Sequence, residues 1–206
     1  MPSSTIDFYF VCISPWSLLG IDLLNDVAAR YDRSVAYKPI NVARSWRETG
    51  AGRPMGERPQ VLLDYRLIEI ERWAKFRGMP VDVNPKHFPV PYAPSSHLVI
   101  AARQAGADVY PLARAIMRGI WIDQRDIGDP EELARIADSV GLDGPSLVAA
   151  IDSPSVVDEL EANTDGMLAA GGWSVPSYVV DGEMFYGQDR LEMIAWRLGG
   201  DREPAS

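Results

Sequence analysis

The chain has 206 residues, 47% of them hydrophobic, enough for one domain with a large core or for a domain carrying a sizeable insertion. Its net charge of −9, with 20 Lys and Arg scattered among 29 Asp and Glu, excludes the basic footprint expected of a nucleic-acid partner. A single cysteine, Cys12, excludes an intramolecular disulfide and unaided two-cysteine redox chemistry, and two histidines without metal-ligand spacing give no metal site.

The first residues, Met-Pro-Ser-Ser-Thr, have neither a charged nor an apolar region of a secretory leader, and no run approaches ~18 uninterrupted apolar residues. A soluble, cytoplasmic protein away from membranes is expected. In Ile6–Cys12, Ile6, Phe8, Phe10 and Cys12 alternate with Asp7, Tyr9 and Val11, the pattern of a mostly buried strand. Cys12 reads as a small hydrophobe packed there. Ser14 suits a helix N-cap and Pro15 the first helical position, and Leu18, Leu19, Ile21, Leu24, Val27, Ala28 and Tyr31 follow on and around one helical face. Ser14 therefore falls at a strand-to-helix corner, where first-turn N–H groups and the helix dipole favour a negative charge such as a thiolate. On its own this stretch reads as an ordinary Ser-Pro cap.

Arg33–Ile40 alternates again and predicts a second strand beside the first after a βα crossover. Residues 41–58, rich in Gly and Pro, read as a long loop, and Gln60–Arg77 as a helix with apolar residues on two sides, ended by Gly78. Five prolines make Met79–Pro94 irregular. Helices are then predicted over Ser95–Gly106 and Val109–Ile122, and from Asp129-Pro130, with Glu132 at the capping-box position and Gly141 as the stop. Pro145 and Pro154 open two more. Ser177–Asp181 and Met184–Tyr186 flank Asp181-Gly182 as a hairpin, and Gln188–Leu198 closes as a helix.

The order β-α-β, helical block, β-β-α predicts an α/β fold: a thioredoxin-like β-α-β…β-β-α domain (residues 1–44 and 171–206) with a large all-helical insertion (45–170). Thioredoxin-like folds carry Cys-x-x-Cys at the corner that holds Ser14-Pro15-Trp16-Ser17 here, and place a cis-proline facing it, where this chain has Trp173-Ser174-Val175-Pro176-Ser177. Two separate pieces thus fit one site. Tyr186-Gly187-Gln188-Asp189-Arg190 is a third, although Gln188, Asp189 and Arg190 would serve equally as an ordinary helix start.

With Glu71-Arg72-Trp73-Ala74, His87-Phe88-Pro89, Arg125–Pro130 and Asp181–Leu191 in the same order, the chain resembles the 2-hydroxychromene-2-carboxylate isomerase family, relatives of kappa-class glutathione transferases and of DsbA. The resemblance implies glutathione as cofactor, a small aromatic substrate and a homodimer. It makes Ser14 the catalytic serine that holds the glutathione sulfur as thiolate. It gives Val175, beside a cis Pro176, the cysteinyl backbone, and Gln188, Asp189 and Arg190 the γ-glutamyl end. Trp16 and Trp173 are expected to wall the substrate pocket, and Lys86 and His87 are candidates to meet a substrate carboxylate, with a structural role as the alternative. His97 is expected to be a helix-surface or packing residue. The chain departs from the family at Ala51, where many relatives have Asn, and at Trp173-Ser174, where they often read Phe-Gly. Arg53 is a candidate replacement for the missing Asn contact. A kappa-type glutathione transferase and a non-catalytic DsbA-like peptide-binding module are the alternatives.

Overall fold

The structure, a computed structural model, describes residues 4–200. The elements are β1 (Thr5–Phe10), α1 (Pro15–Arg30), β2 (Ser34–Pro39), α2 (Val42–Thr49), α3 (Gln60–Arg77), α4 (Ala93–Gln104), α5 (Tyr110–Trp121), α6 (Pro130–Ser139), α7 (Gly144–Ala150), α8 (Pro154–Ala169), β3 (Ser177–Val180), β4 (Glu183–Tyr186) and α9 (Leu191–Leu198). The sheet runs β2-β1-β3-β4, with β1 parallel to β2 and antiparallel to β3. This is the thioredoxin-like arrangement expected from the element order.

Alternation along β1 explains why it sits in the centre. Ile6, Phe8 and Phe10 enter one apolar layer, while Tyr9 and Val11 enter another with Ile40, Val42, Met167 and Val175. In the first layer the Phe8 ring stacks on Phe10 at 4.6 Å and on Tyr178 at 5.3 Å, which ties β1 to β3 through side chains as well as backbone. That same layer continues through Leu98, Ile116, Ile136 and Leu160 of the helical block, so sheet and helices share one core.

Three expectations change. The predicted loop 41–58 contains α2, because the Asn41 side chain accepts from the Arg44 N–H at 3.0 Å and Gly50, at φ 67°, ends the helix in the left-handed region. The capping box at α6 is also incomplete: Asp129 accepts from the Glu131 N–H, but the Glu132 carboxylate takes Arg125 and Arg135, whose cations outcompete a backbone donor. The closing helix is shorter than predicted, since Gln188–Arg190 form a 3-10 turn ahead of α9.

Candidate active site

Ser14 caps α1 in an extended conformation (φ −85°, ψ 119°), and its Oγ accepts from the Ser17 N–H at 3.2 Å. The acceptor role leaves the hydroxyl proton without a protein acceptor among the described residues. Pro15 has no N–H, and the Leu18 N–H donates to the Ser14 carbonyl at 3.2 Å. The Trp16 N–H is then the one first-turn donor with no acceptor among the described residues. Ser14 is nearly buried, yet it lines a cavity of about 130 Å³. The corner therefore offers two unused donors and the positive end of a 16-residue helix.

Across that cavity lies Val175, joined to Pro176 by a cis peptide bond. Neither the N–H nor the carbonyl of Val175 has a hydrogen-bond partner among the described residues, although the side chain is buried. Its neighbours are held firmly: Ser177 Oγ donates to the Ser174 carbonyl at 2.7 Å and the Gly187 N–H donates to the Pro176 carbonyl at 2.9 Å. The second bond fastens the 188–190 turn beside the proline. Gly187 is required there, since its φ is 103° and an added Cβ would stand 2.4 Å from Asp189 Oδ1.

Gln188, Asp189 and Arg190 line a neighbouring cavity of about 410 Å³ together with Trp16, Val175 and Pro176. Gln188 is buried and accepts from Arg77 at 3.1 and 3.3 Å, which leaves the amide N–H groups uncommitted. Asp189 and Arg190 pair with one another at 2.7 Å at the rim. Trp173 stands apart from Ser14, its ring 4.8 Å from that of Tyr186, in a third cavity of about 490 Å³ that also includes Ala51 and Arg53.

Lys86 and His87 do not line these three cavities. Lys86 is exposed, with its N–H on Gln124 Oε1 at 2.7 Å, and His87 Nδ1 lies 3.4 Å from Asp126 Oδ2. The following Phe88 reaches the Ser14 cavity in their place, because the irregular segment turns its apolar ring inward and its polar residues outward. His97 is buried on α4, the packing rather than the helix-surface alternative. Cys12 is buried and free, its Sγ on the Ser95 carbonyl at 3.8 Å, and burial pushes its thiol up to about 12. It supplies no nucleophile at neutral pH.

Five contributors were given no role of their own in the sequence. Trp46 of α2 donates its indole N–H to Ser174 Oγ at 3.1 Å, and Ser45 Oγ donates to the Trp173 carbonyl at 3.1 Å, so α2 braces the segment leading into Val175. Arg58 and Arg66 bring guanidinium groups to the Ser14 cavity, and Tyr186 borders all three cavities. The cap at Asn41 was the local signal that could have placed Trp46; nothing local marks the arginines.

Comparison with known proteins agrees with the fold that carries this site. The family described as a DSBA-like thioredoxin domain matches residues 5–199. A 2-hydroxychromene-2-carboxylate isomerase from Sphingobium xenophagum is 30% identical over 193 residues, 93% of this chain and 96% of that protein. The kappa 1 glutathione S-transferase of Rattus norvegicus is 22% identical, over 94% of this chain and 90% of its own. Among solved structures, a 2-hydroxychromene-2-carboxylate isomerase superposes with a TM-score of 0.79 at 26% identity, covering 95% of this chain and 94% of that one. The match runs through both sheet halves and the helical block alike, and the chain belongs to the DSBA-like thioredoxin-domain family, in its 2-hydroxychromene-2-carboxylate isomerase group.

Proposed function

We propose that the protein is a glutathione-dependent isomerase of 2-hydroxychromene-2-carboxylate or a similar aromatic catabolite. One observation carries this reading: the uncommitted Ser14 hydroxyl and the uncommitted Val175 amide line the same cavity at the N-terminus of α1. Those residues fit the cofactor. A tripeptide thiol needs an extended backbone to pair with and a donor for its sulfur, and Val175 and Ser14 offer these. Gln188, Asp189 and Arg190 suit an amino-acid end, carboxylate to ammonium and cation to carboxylate. When bound, glutathione supplies a thiolate that adds to a conjugated carbon of the substrate, permits rotation about the resulting single bond, and leaves again.

The protein's own share is electrostatic. Ser14 donates its proton to the anion and, through Ser17, is held in the orientation that aims it there; the Trp16 N–H and the helix dipole add to the same field. Trp16, Phe88 and Val11 bring apolar surface to the cavity wall, which strengthens those interactions. The relatives' names supply the substrate, and the reading extends to a cytoplasmic homodimer that joins through the exposed apolar residues of α3, including Val61, Ile68 and Phe76.

Calorimetric titration with reduced glutathione tests the cofactor, and Arg190→Ala is expected to weaken it. Conversion of 2-hydroxychromene-2-carboxylate at constant glutathione concentration then marks the isomerase, whereas stoichiometric glutathione consumption marks a transferase. Peptide binding without either marks the non-catalytic module. Ser14→Ala is expected to lower turnover roughly 10- to 100-fold, the worth of a hydrogen bond to a charged group. An unchanged rate would remove Ser14 from the mechanism.

A further inference from the structure

The Ser14 cavity has two charged residues in its wall, Arg58 and Arg66, and no carboxylate. That is unusual in a chain with 29 Asp and Glu against 20 Lys and Arg. Most arginines of the helical block have found an acid: Arg72, Arg77, Arg103, Arg114, Arg125 and Arg135 are all ion-paired. Arg66 has neither an ion pair nor a hydrogen bond among the described residues.

Its position is built rather than incidental. Leu62, Arg66, Glu69 and Trp73 recur at helical spacing on the cleft face of α3. The Arg66 guanidinium lies 5.7 Å from the Phe88 ring centre and 5.9 Å from that of Trp121. Both rings are within cation–π range of the group, and neither contact uses its N–H groups, which have no acceptor among the described residues. Trp121 in turn donates its indole N–H to the Ile13 carbonyl at 3.2 Å, so the platform under Arg66 is tied to the residue before Ser14. Arg58, in contrast, is engaged through Nε with the Arg53 carbonyl at 2.8 Å and lies over Trp46.

We propose that Arg66 is the specificity-determining ligand for a carboxylate on the aromatic substrate, so that the acceptor lobe selects anionic electrophiles over uncharged ones. The inference rests on the cleft being the catalytic site. Burial, and after it the charge of Arg58, pushes the Arg66 guanidinium down to about 10, so it remains protonated at neutral pH and an anion beside it is favoured.

The test uses coumarin-3-carboxylate, a bicyclic aromatic acid, and uncharged coumarin, each titrated calorimetrically into the glutathione-free protein. Wild type is expected to bind the acid about tenfold or more tightly than coumarin. Arg66→Gln is expected to abolish that preference and Arg66→Lys to retain part of it, with melting temperatures confirming that both variants are folded. Equal binding of the two ligands by wild type, or a preference that survives in Arg66→Gln, would overturn the proposal. Because glutathione is absent, a wild type that binds the acid selectively but never binds glutathione would sink the isomerase reading and leave the role of Arg66 as an anion ligand standing.

Discussion

Replacing Ser14 by Ala removes an N-cap as well as a donor to the bound sulfur. The cap alone is worth about 1 kcal/mol, so the variant is expected to unfold at lower urea concentration than wild type as well as to lose turnover. An unchanged urea midpoint would mean that the Ser17 N–H finds another acceptor. At His97 the expected readout is pH. Burial lowers its pKa, against the opposing charges of Asp152 and Glu161. The unfolded chain then binds more protons than the folded one below pH 6.5, so stability is complete above that value and declines as pH falls through the folded pKa. His97→Asn should flatten this part of the melting-temperature profile; an identical slope would refute it. Ser14 was legible in the sequence because cap chemistry is local. Arg66 was not, because its meaning comes from Phe88 and Trp121, 22 and 55 positions away along the chain.

Among elements, α1 and the 188–190 turn show how closely the two sheet halves are fitted. A Cβ at Gly20 would stand 2.9 Å from both Gln188 Cβ and Tyr178 Oη. Gly20→Ala is therefore expected to cost roughly 1–3 kcal/mol in a urea titration by overpacking. A stabilised variant would show that the turn can move aside. The strands and the helices with Pro or Asp starts could be read from sequence, since their signals are short-range. Hidden in the Gly- and Pro-rich stretch, α2 left only the Asn41 cap as a local sign, and its eight residues are held by bonds to remote partners: Asn41 Nδ2 donates to Glu161 at 2.8 Å, and Arg44 to Glu161 and Asp165. A helix this short relies on tertiary contacts. Ala51, where relatives often carry Asn, sits just past it in the third cavity.

At the scale of the molecule, Phe8, Ile116 and Tyr178 belong to one apolar cluster although they come from both sheet halves and the helical block. We propose that residues 45–170 are an insertion in topology without separate stability. Thermal unfolding is then expected as a single transition with equal calorimetric and van't Hoff enthalpies, and two resolved transitions would refute the proposal. The β-α-β and β-β-α ends disclosed the fold from their order alone. The shared core was out of reach of periodicity, which reports that a face is buried and not what buries it.

Of the six tryptophans, Trp16, Trp46, Trp73 and Trp173 line the three cavities and Trp121 lies beneath Arg66. Indole emission responds to the polarity and charge around the ring. The cleft consequently carries its own optical reporter: a ligand that displaces water from it changes the intrinsic fluorescence of the unlabelled protein, and Trp196, on the exposed side of α9, provides an internal background.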